Sequence, residues 1–210
     1  MPPPQLPRGQ DSDAPGSAAA KLALRDQLLT GRKRLSLAEV GDAGAAIAQH
    51  LLASEPVRRA ATVAAYVSIG TEPGTGVLLD ELVAAGKRVL LPVVLPDLDL
   101  DWAAYAGPGS LVRARMGLLE PVGPALGVDA VATADVVLVP GLAVSPAGHR
   151  LGRGGGCYDR TLTRVPVGTF TCVLLYDDEV GVEVPVEPHD RTVLAAASPS
   201  GVSPLGPASG

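Results

Sequence analysis

Cysteine and aromatic residues are scarce in this chain of 210 residues, and both scarcities narrow the classes of protein it can belong to. Its two cysteines, Cys157 and Cys172, form no CxxC pair and no spacing with histidine that is typical of a zinc site. We therefore expect no structural zinc. A disulfide between Cys157 and Cys172 is possible but not needed, and the enzyme-like composition suggests a reducing cytosol. Aromatic residues make up 3% of the chain, so few rings are available to stack on a ligand.

Long apolar runs and an excess of positive charge are absent as well. Pro92, Pro96 and Pro140 interrupt the apolar stretches before they reach the roughly 18 residues of a membrane span. The N-terminal sequence MPPPQLPRGQ lacks the charged and then apolar pattern of a signal peptide. The net charge of −5 argues against binding to nucleic acid or to an anionic membrane. We expect a cytoplasmic monomer that acts on a small molecule.

Glycine and arginine, in contrast, are concentrated in residues 148–159, which read GHRLGRGGGCYD. Glycines let successive backbone N–H groups approach an anion, and Arg150 and Arg153 carry forked donors that match phosphate oxygens. A helix predicted to follow would direct the positive end of its dipole to the same place. Residues 148–164 hold four arginines against one acidic residue, Asp159, in an otherwise acidic chain. The segment therefore predicts a loop that binds the phosphates of a nucleotide.

Neither of the two common phosphate-binding patterns fits this segment. A Walker A loop requires Gly-Lys-Ser or Gly-Lys-Thr after its glycines, where this chain has Gly156, Cys157 and Tyr158. The dinucleotide pattern GxGxxG, begun at Gly152, would require glycine at position 157. A flexible glycine hinge is the alternative interpretation of the local pattern. Asp159, one turn into the predicted helix, is a candidate magnesium ligand.

Residues 137–159, VLVPGLAVSPAGHRLGRGGGCYD, strongly resemble the 5-formyltetrahydrofolate cyclo-ligase family, also called 5,10-methenyltetrahydrofolate synthetase. Members of that family have a strand ending in VPG, a variable turn and then the motif G-x-RLGRG-x-G-YYD. Three weaker stretches agree in order and spacing: residues 21–25, KLALR, residues 66–75, YVSIGTEPGT, and residues 185–190, PVEPHD. The resemblance covers residues 18–202.

The chain departs from the family's pattern at two positions. Cys157 replaces the first of two usual tyrosines, which removes an aromatic ring near the nucleotide or the folate. Glu179 stands where glutamine is common, and the sequence gives it no role.

The resemblance implies an ATP- and Mg²⁺-dependent ligase that converts 5-formyltetrahydrofolate into 5,10-methenyltetrahydrofolate and releases ADP and phosphate. It implies that the catalytic residues are Arg150, Arg153 and Tyr158. The implied metal ligands are Asp159 and Asp190. The implied nucleotide contacts are Lys21, Arg25, Arg150, Leu151, Gly152, Arg153, Gly154, Gly155, Gly156, Cys157 and Tyr158. The expected folate contacts are Val67, Glu72, Trp102 and Met116.

Several of these residues have a second interpretation that needs no ligand. Lys21 and Arg25 are four apart, so they share one helix face and could form a solvated basic surface. Glu72 could be an exposed turn acid. Trp102, Tyr105 and Met116 are candidates for packing on the pterin or its aminobenzoyl arm, but they could equally pack in the core. Two other functions also stay open. One is another ATP-dependent ligase or kinase on the same fold, and the other is a catalytically silent protein that binds a nucleotide or a folate.

Helical and apolar extended segments alternate along the chain, which predicts a three-layer, Rossmann-like α/β sandwich with a mainly parallel central sheet. The strands are expected at 62–67, 88–94, 136–139, 170–176 and 193–197. The helices are expected at 18–30, after a capping box at Ser36–Glu39, and after Thr75 as N-cap. We expect a single domain at 17–197 between disordered tails at 1–16 and 198–210. Because ligands bind beyond the carboxyl ends of strands in such sheets, the glycine-rich segment lies where a ligand would bind.

Overall fold

The computed structural model describes residues 15–206, with the side chains of Pro15 and Met116 excepted. The helices in this range are α1 (Pro15–Arg32), α2 (Leu37–Ala53), α3 (Glu55–Arg59), α4 (Gly76–Ala84) and α5 (Cys157–Arg164). The strands are β1 (Thr62–Ala64), β2 (Arg88–Val94), β3 (Leu100–Tyr105), β4 (Leu111–Arg113), β5 (Leu119–Pro121), β6 (Val136–Pro140), β7 (Ala143–Val144), β8 (Arg150–Leu151), β9 (Phe170–Leu174), β10 (Ala195–Ser198) and β11 (Gly201–Pro204). Short 3₁₀ turns lie at Pro108–Ser110, Arg115–Gly117, Val128–Thr133 and Asp177–Glu179. Within this range, no helix is both long enough and apolar enough to cross a membrane.

A seven-stranded sheet in the order β11-β10-β9-β6-β1-β2-β3 forms the centre of the molecule. The neighbours from β10 to β2 are parallel, and the antiparallel pairs lie at the two edges, β10 with β11 and β2 with β3. The central strand β6 is a continuous apolar run, VVLVP, as a strand covered on both faces should be. The predicted α/β fold with a mainly parallel sheet is confirmed.

Successive residues of β6 point into two cores on opposite faces of the sheet, because side chains alternate along a strand. Val136 and Leu138 belong to the core that includes buried residues of α2 and α4. Val137 and Val139 belong to the core that includes Leu162 of α5. Helices therefore cover both faces of the sheet, which gives the predicted three layers.

Helix α1 packs on a smaller, third core beside the β7–β8 hairpin. Leu24, Leu28 and Leu29 of α1 lie against Leu142 and Leu151 there. These contacts are spaced as one face of a helix requires. They bring the N-terminal half of α1 next to the loop that follows β8.

Three local predictions can be compared with the structure. The capping box at the start of α2 is confirmed, since Ser36 and Glu39 each bond the other's backbone N–H. The first strand ends at Ala64 rather than at position 67. Thr75 does occupy the N-cap position of α4, but its hydroxyl accepts from the N–H of Ser68 and caps nothing. The hydroxyl of Thr75 thus bonds the turn before the helix instead of the helix N-terminus, and the local sequence pattern does not reveal this bond.

Regular secondary structure extends beyond the predicted domain, residues 17–197, at both ends. Helix α1 begins at Pro15, inside the stretch that was expected to be a tail. Strand β11 pairs antiparallel with β10 from Gly201 to Pro204, so residues 198–204 complete the sheet edge. The proline and glycine content of this segment suits an edge strand and its turn as well as a tail. The remaining tail predictions, 1–14 and 207–210, lie outside the described residues.

Candidate active site

A cleft of about 590 Å³ opens at the carboxyl ends of β1, β2 and β6. This is the edge at which open α/β sheets bind ligands. Helix α1, the residues from β8 into α5 and the segment before β10 form its other borders. The cleft is lined by residues from each stretch of the resemblance, among them Lys21, Arg25, Val67, Glu72, Arg150, Leu151, Gly152, Arg153, Gly154, Gly155, Gly156, Cys157, Tyr158, Asp159 and Asp190.

The glycine-rich segment forms a loop between β8 and α5. Gly154 and Gly156 have φ angles of +100° and +66°, a left-handed backbone that glycine adopts without steric cost. Gly156 is the N-cap residue of α5, and Cys157 is the first residue of the helix. The predicted arrangement of a glycine loop followed by a helix N-terminus is therefore present at the edge of the cleft.

Lys21 reaches from α1 to two carboxylates across the cleft. Its Nζ lies 2.6 Å from Oε2 of Glu187 and 2.8 Å and 2.6 Å from the two carboxylate oxygens of Asp190. Lys21 is 4% exposed, so an unpaired ammonium there would be costly. Burial opposes ionisation of Asp190, but the hydrogen bonds from Lys21 and the Glu187 N–H outweigh it and lower the pKa of Asp190.

Arg150 is buried beneath the loop and holds a second carboxylate. Its Nη2 lies 3.1 Å from Oδ1 of Asp159, and its Nη1 donates to the carbonyl of Pro140. The backbone N–H of Arg191 also donates to Oδ1 of Asp159, at 3.3 Å. Because Arg191 directly follows Asp190, this bond joins the two segments that carry the predicted metal ligands.

The donor set around Asp190 suits a hard divalent cation. The potential ligand atoms of Glu187, His189 and Asp190 all lie within 4.8 Å of one another. Mg²⁺ prefers carboxylate oxygens, and Asp159 lies in the same cleft. Glu187 was not among the predicted ligands. Its position three residues before Asp190, within the stretch PVEPHD, is the signal that could have found it.

Arg153 and Glu72 join the glycine loop to the turn after β1. The Nε of Arg153 lies 3.1 Å from Oε1 of Glu72, and the N–H of Ile69 donates to Oε2 at 2.9 Å. Glu72 is 5% exposed, so it is not the exposed turn acid of the alternative interpretation. The arginine side chain remains 44% exposed and is therefore free to reach a ligand.

The other predicted nucleotide contacts differ in what they offer the cleft. Arg25 is half-buried and donates from Nε to the carbonyl of Gly152, at 2.9 Å. The side chain of Leu151 belongs to the core beneath α1, and its carbonyl accepts from the N–H of Leu142 at 2.8 Å. Loss of hydration raises the pKa of Tyr158, so its hydroxyl keeps its proton at neutral pH. Cys157 carries a free thiol on the same wall.

Trp102 does not reach the cleft, and its predicted folate contact is wrong. Its side chain is fully buried in the core beneath α5. Leu100, two residues earlier on the same face of β3, does line the cleft. The pleat of the strand places Trp102 one repeat deeper than the edge at which a ligand binds. Tyr105, a second candidate for packing on the folate, does not line the cleft either. The side chain of Met116, the third candidate, lies outside the described part of the structure.

The sequence did not predict the apolar wall of the cleft. This wall is formed by Pro92, Val94, Leu98, Leu100, Leu118 and Leu119. Leu98 has a φ of +65°, the left-handed region that non-glycine residues rarely adopt, and Arg160 donates to its carbonyl at 2.6 Å. Such strain persists where surrounding contacts hold it, and it is concentrated at functional sites. Leucines at these positions carry no chemical signature, so only the fold reveals that they share a wall.

A buried ion pair beside the cleft explains Glu179. Arg32, the last residue of α1, donates from Nε and Nη2 to the two carboxylate oxygens of Glu179, both at 2.7 Å. The same Nη2 donates to the carbonyl of Gly141, at 2.8 Å. The two side chains are 2% and 3% exposed, so each charge depends on the other.

Comparison with known proteins identifies relatives over nearly the whole chain. Residues 17–199 match the model of the 5-formyltetrahydrofolate cyclo-ligase family. A 5-formyltetrahydrofolate cyclo-ligase of Mycolicibacterium smegmatis is 43% identical over 188 residues, which cover 87% of this chain and 95% of that protein. The enzyme of that name from Escherichia coli is 34% identical over 179 residues, 81% of this chain and 96% of that protein.

A solved structure shows the same architecture. The NMR structure of Aquifex aeolicus 5,10-methenyltetrahydrofolate synthetase superposes with a TM-score of 0.78 at 27% sequence identity. The superposition covers 90% of this chain and 95% of that one. The resemblance inferred from the glycine-rich motif is confirmed.

Proposed function

The chain belongs to the 5-formyltetrahydrofolate cyclo-ligase family, and we propose that it uses ATP to close 5-formyltetrahydrofolate to 5,10-methenyltetrahydrofolate. One observation carries the proposal beyond family membership. The cations of α1, the glycine–arginine loop, the acidic turn after β1 and two aspartates line the same cleft, although they lie far apart in sequence. A site that receives a polyphosphate and a folate together needs these groups side by side.

The chemical difficulty is that the N5-formyl oxygen is a poor leaving group. In the proposed reaction this oxygen attacks the γ-phosphorus of ATP, the bond between the γ-phosphorus and the bridging oxygen breaks, and ADP leaves. The product is an N5-iminium phosphate. N10 then attacks the formyl carbon, the carbon–oxygen bond breaks, phosphate departs and the N10 proton goes to solvent. The five-membered ring is closed.

The protein's contribution to such a phosphoryl transfer is positioning and charge neutralisation. Arg150, Arg153, Lys21 and Arg25 are the proposed donors to the phosphates, together with the loop N–H groups. Three of these cations, Lys21, Arg150 and Arg153, are bonded to carboxylates in the structure. Nucleotide binding therefore requires an exchange of partners, from carboxylate to phosphate. One oriented donor in a water-excluded site contributes about 3 kcal/mol to the transition state.

Asp159 and Asp190 are the proposed ligands of Mg²⁺, with Glu187 as a further carboxylate beside them. When bound, the metal neutralises phosphate charge and orients the transferred group. Arg150 and Lys21, which bond Asp159 and Asp190 in the structure, are the cations proposed to move to the phosphates. When these ion pairs open, the carboxylates become available to Mg²⁺ and the cations become available to the phosphates at the same time.

The proposed folate position lies between Glu72 and the apolar wall. A carboxylate at Glu72 can accept hydrogen bonds from the amino-pyrimidine edge of the pterin, and Val67 lies on the same border. The apolar wall suits the aminobenzoyl arm. Because Arg153 donates to Glu72, a nucleotide that draws Arg153 away also frees Glu72 for the folate. Tyr158, whose hydroxyl stays protonated, is the proposed hydrogen-bond donor on the reacting oxygen.

The test is a spectrophotometric assay for methenyltetrahydrofolate with the purified protein, 5-formyltetrahydrofolate and Mg²⁺, run with and without ATP. We expect methenyltetrahydrofolate to form when ATP is present and not when it is left out, with one ADP released for each molecule of product. ATP binding without product would leave the nucleotide site in place and contradict the ligase activity. ADP release that does not depend on the folate would indicate a different acceptor.

A further inference from the structure

The hydroxyl of Tyr66 is buried and has no hydrogen-bond partner among the described residues. Tyr66 follows β1, is 3% exposed and lines the cleft. A hydroxyl shut off from water without a partner costs roughly 1–3 kcal/mol, so native proteins rarely keep one without a use. The tyrosine thus carries a polar group that the core around it does not satisfy.

The location of Tyr66 distinguishes it from most other unpartnered buried groups. The other such atoms in the described residues belong to Arg32, Trp102, His149, Arg150 and Thr161. Of these residues, Arg150 lines the cleft and already holds Asp159 and a backbone carbonyl. Among these residues with buried unpartnered atoms, Tyr66 is the one that lines the cleft and whose side chain makes no hydrogen bond within the described part of the chain. A ligand in the cleft is the partner that remains.

The neighbourhood of Tyr66 indicates which kind of atom its partner is. Burial first, and the negative charge of Glu72 second, hold the pKa of Tyr66 well above its ordinary value. The group is therefore a hydroxyl that can donate a proton in a hydrogen bond, and it lines the same cleft as a carboxylate that can only accept. In the pyrimidine ring of a folate, N–H donors stand next to a ring carbonyl. A carboxylate and a hydroxyl side by side match that edge.

We propose that the hydroxyl of Tyr66 donates a hydrogen bond to the ring carbonyl of the bound pterin, while Glu72 accepts from the adjacent N–H groups. Tyr66 is in this account a specificity-determining residue that distinguishes a 4-oxo from a 4-amino pterin. The inference rests on the proposed function, because it takes the folate as the occupant of this part of the cleft.

The experiment compares the wild type with Tyr66→Phe, using equilibrium binding of the formylated folate substrate and of its 4-amino analogue. Loss of one hydrogen bond should raise the Kd of the 4-oxo ligand roughly fivefold to tenfold. The Kd of the 4-amino analogue should change little, so the wild type's preference for the carbonyl should shrink by the same factor. The Kd of ATP should stay unchanged, and the Tm should stay equal or rise because an unsatisfied hydroxyl is removed.

The matched control is Tyr105→Phe. The hydroxyl of Tyr105 donates to Oδ1 of Asp80 at 2.7 Å, and neither residue lines the cleft. This variant should lower the Tm and leave both folate Kd values unchanged, the opposite of the pattern expected at Tyr66.

Each outcome decides between the two proposals. Equal folate Kd values for the wild type and Tyr66→Phe would overturn the role of Tyr66 even if the wild type is an active ligase. A wild type that binds the folate and forms no product would contradict the proposed function, and the change in Kd would still test Tyr66. A wild type that binds no folate would overturn both.

Discussion

The two ends of helix α1 carry similar ion pairs with different consequences. Lys21 near its N-terminus and Arg32 at its C-terminus are both almost completely buried, and each bonds carboxylate oxygens. Lys21 lies on the border of the cleft, and its partners are Asp190 and Glu187. Arg32 does not line the cleft, and its Nε and Nη2 donate to Glu179 and to a backbone carbonyl.

Access to a ligand, rather than pairing, separates the structural ion pair at Arg32 from the pair at Lys21 that we propose to be functional. A buried pair with no route to a ligand can only hold its elements together, here α1 and the 3₁₀ turn at Asp177–Glu179. A buried pair on the wall of a cleft can exchange its partners when a more highly charged ligand enters. Substitutions on the two sides of this distinction should therefore affect different properties of the protein.

Glu179→Ala should produce the largest loss of stability. It leaves the guanidinium of Arg32 buried with no carboxylate partner, and breaking a buried pair in this way costs about 3–5 kcal/mol. The free energy of unfolding, measured by urea denaturation, should fall by that amount. The matched variant Glu179→Gln keeps an acceptor for Arg32 and should lose clearly less. Equal losses for the two variants would mean that Arg32 does not depend on this partner.

Arg153→Ala should lower kcat roughly 100-fold, the value of one oriented donor to the transferring phosphate. Its side chain is 44% exposed, so the fold should survive. The control is Arg59→Ala, which removes an exposed arginine paired with Glu55 outside the cleft and should leave kcat unchanged. Unchanged turnover in Arg153→Ala would remove this arginine from the proposed mechanism.

Leu119→Ser should affect the folate and spare the nucleotide. Leu119 lines the apolar wall and is 41% exposed, so a bound folate arm would bury its remaining surface. Loss of that contact is worth about 1 kcal/mol, which corresponds to roughly a fivefold rise in KM for the folate substrate. The KM for ATP should not change. Leu37→Ser, at a 90% exposed leucine outside the cleft, should change neither constant. A rise in the KM for ATP would place the nucleotide on this wall instead.

Asp99→Asn should give the smallest effect, which is a change in how the stability of the protein depends on pH. The hydrogen bond from Arg164 lowers the pKa of Asp99 in the turn that holds Leu98. A carboxyl whose pKa is lower in the folded state stabilises the fold above its unfolded pKa of about 3.9. That stabilisation is lost as the pH falls through the lower folded value. The Tm difference between wild type and Asp99→Asn should therefore be constant above about pH 5 and shrink below about pH 4. A difference that is as large at pH 3 as at pH 7 would contradict this assignment.

The parts of the site that the sequence predicted are those with unusual local chemistry. The glycines and arginines of residues 148–159 point to a phosphate loop because glycine backbone and guanidinium groups serve few other purposes together. The layered fold was predictable for a similar reason, since continuous apolar strands such as β6 alternate with helical segments.

The parts that the sequence did not predict depend on contacts between distant residues. Arg32 and Glu179 are 147 positions apart, and nothing local distinguishes either of them from a surface charge. Trp102 was expected at the ligand because aromatic rings stack on folates, whereas the depth of its position in β3 decides its contacts. Strand β11 was missed because its composition resembles that of a tail and pairing with β10 stabilises it.

The most direct test of the exchange of partners compares Lys21→Met with Arg32→Met by two measurements on each variant, the Kd of MgATP and the free energy of unfolding. We expect Lys21→Met to weaken MgATP binding at least tenfold, roughly 1.4 kcal/mol, and to lose less stability than Arg32→Met. We expect Arg32→Met to lose several kcal/mol of stability and, under conditions where it remains folded, to bind MgATP like the wild type. Wild-type MgATP affinity in Lys21→Met would contradict the claim that the cations of the cleft exchange their carboxylates for phosphate.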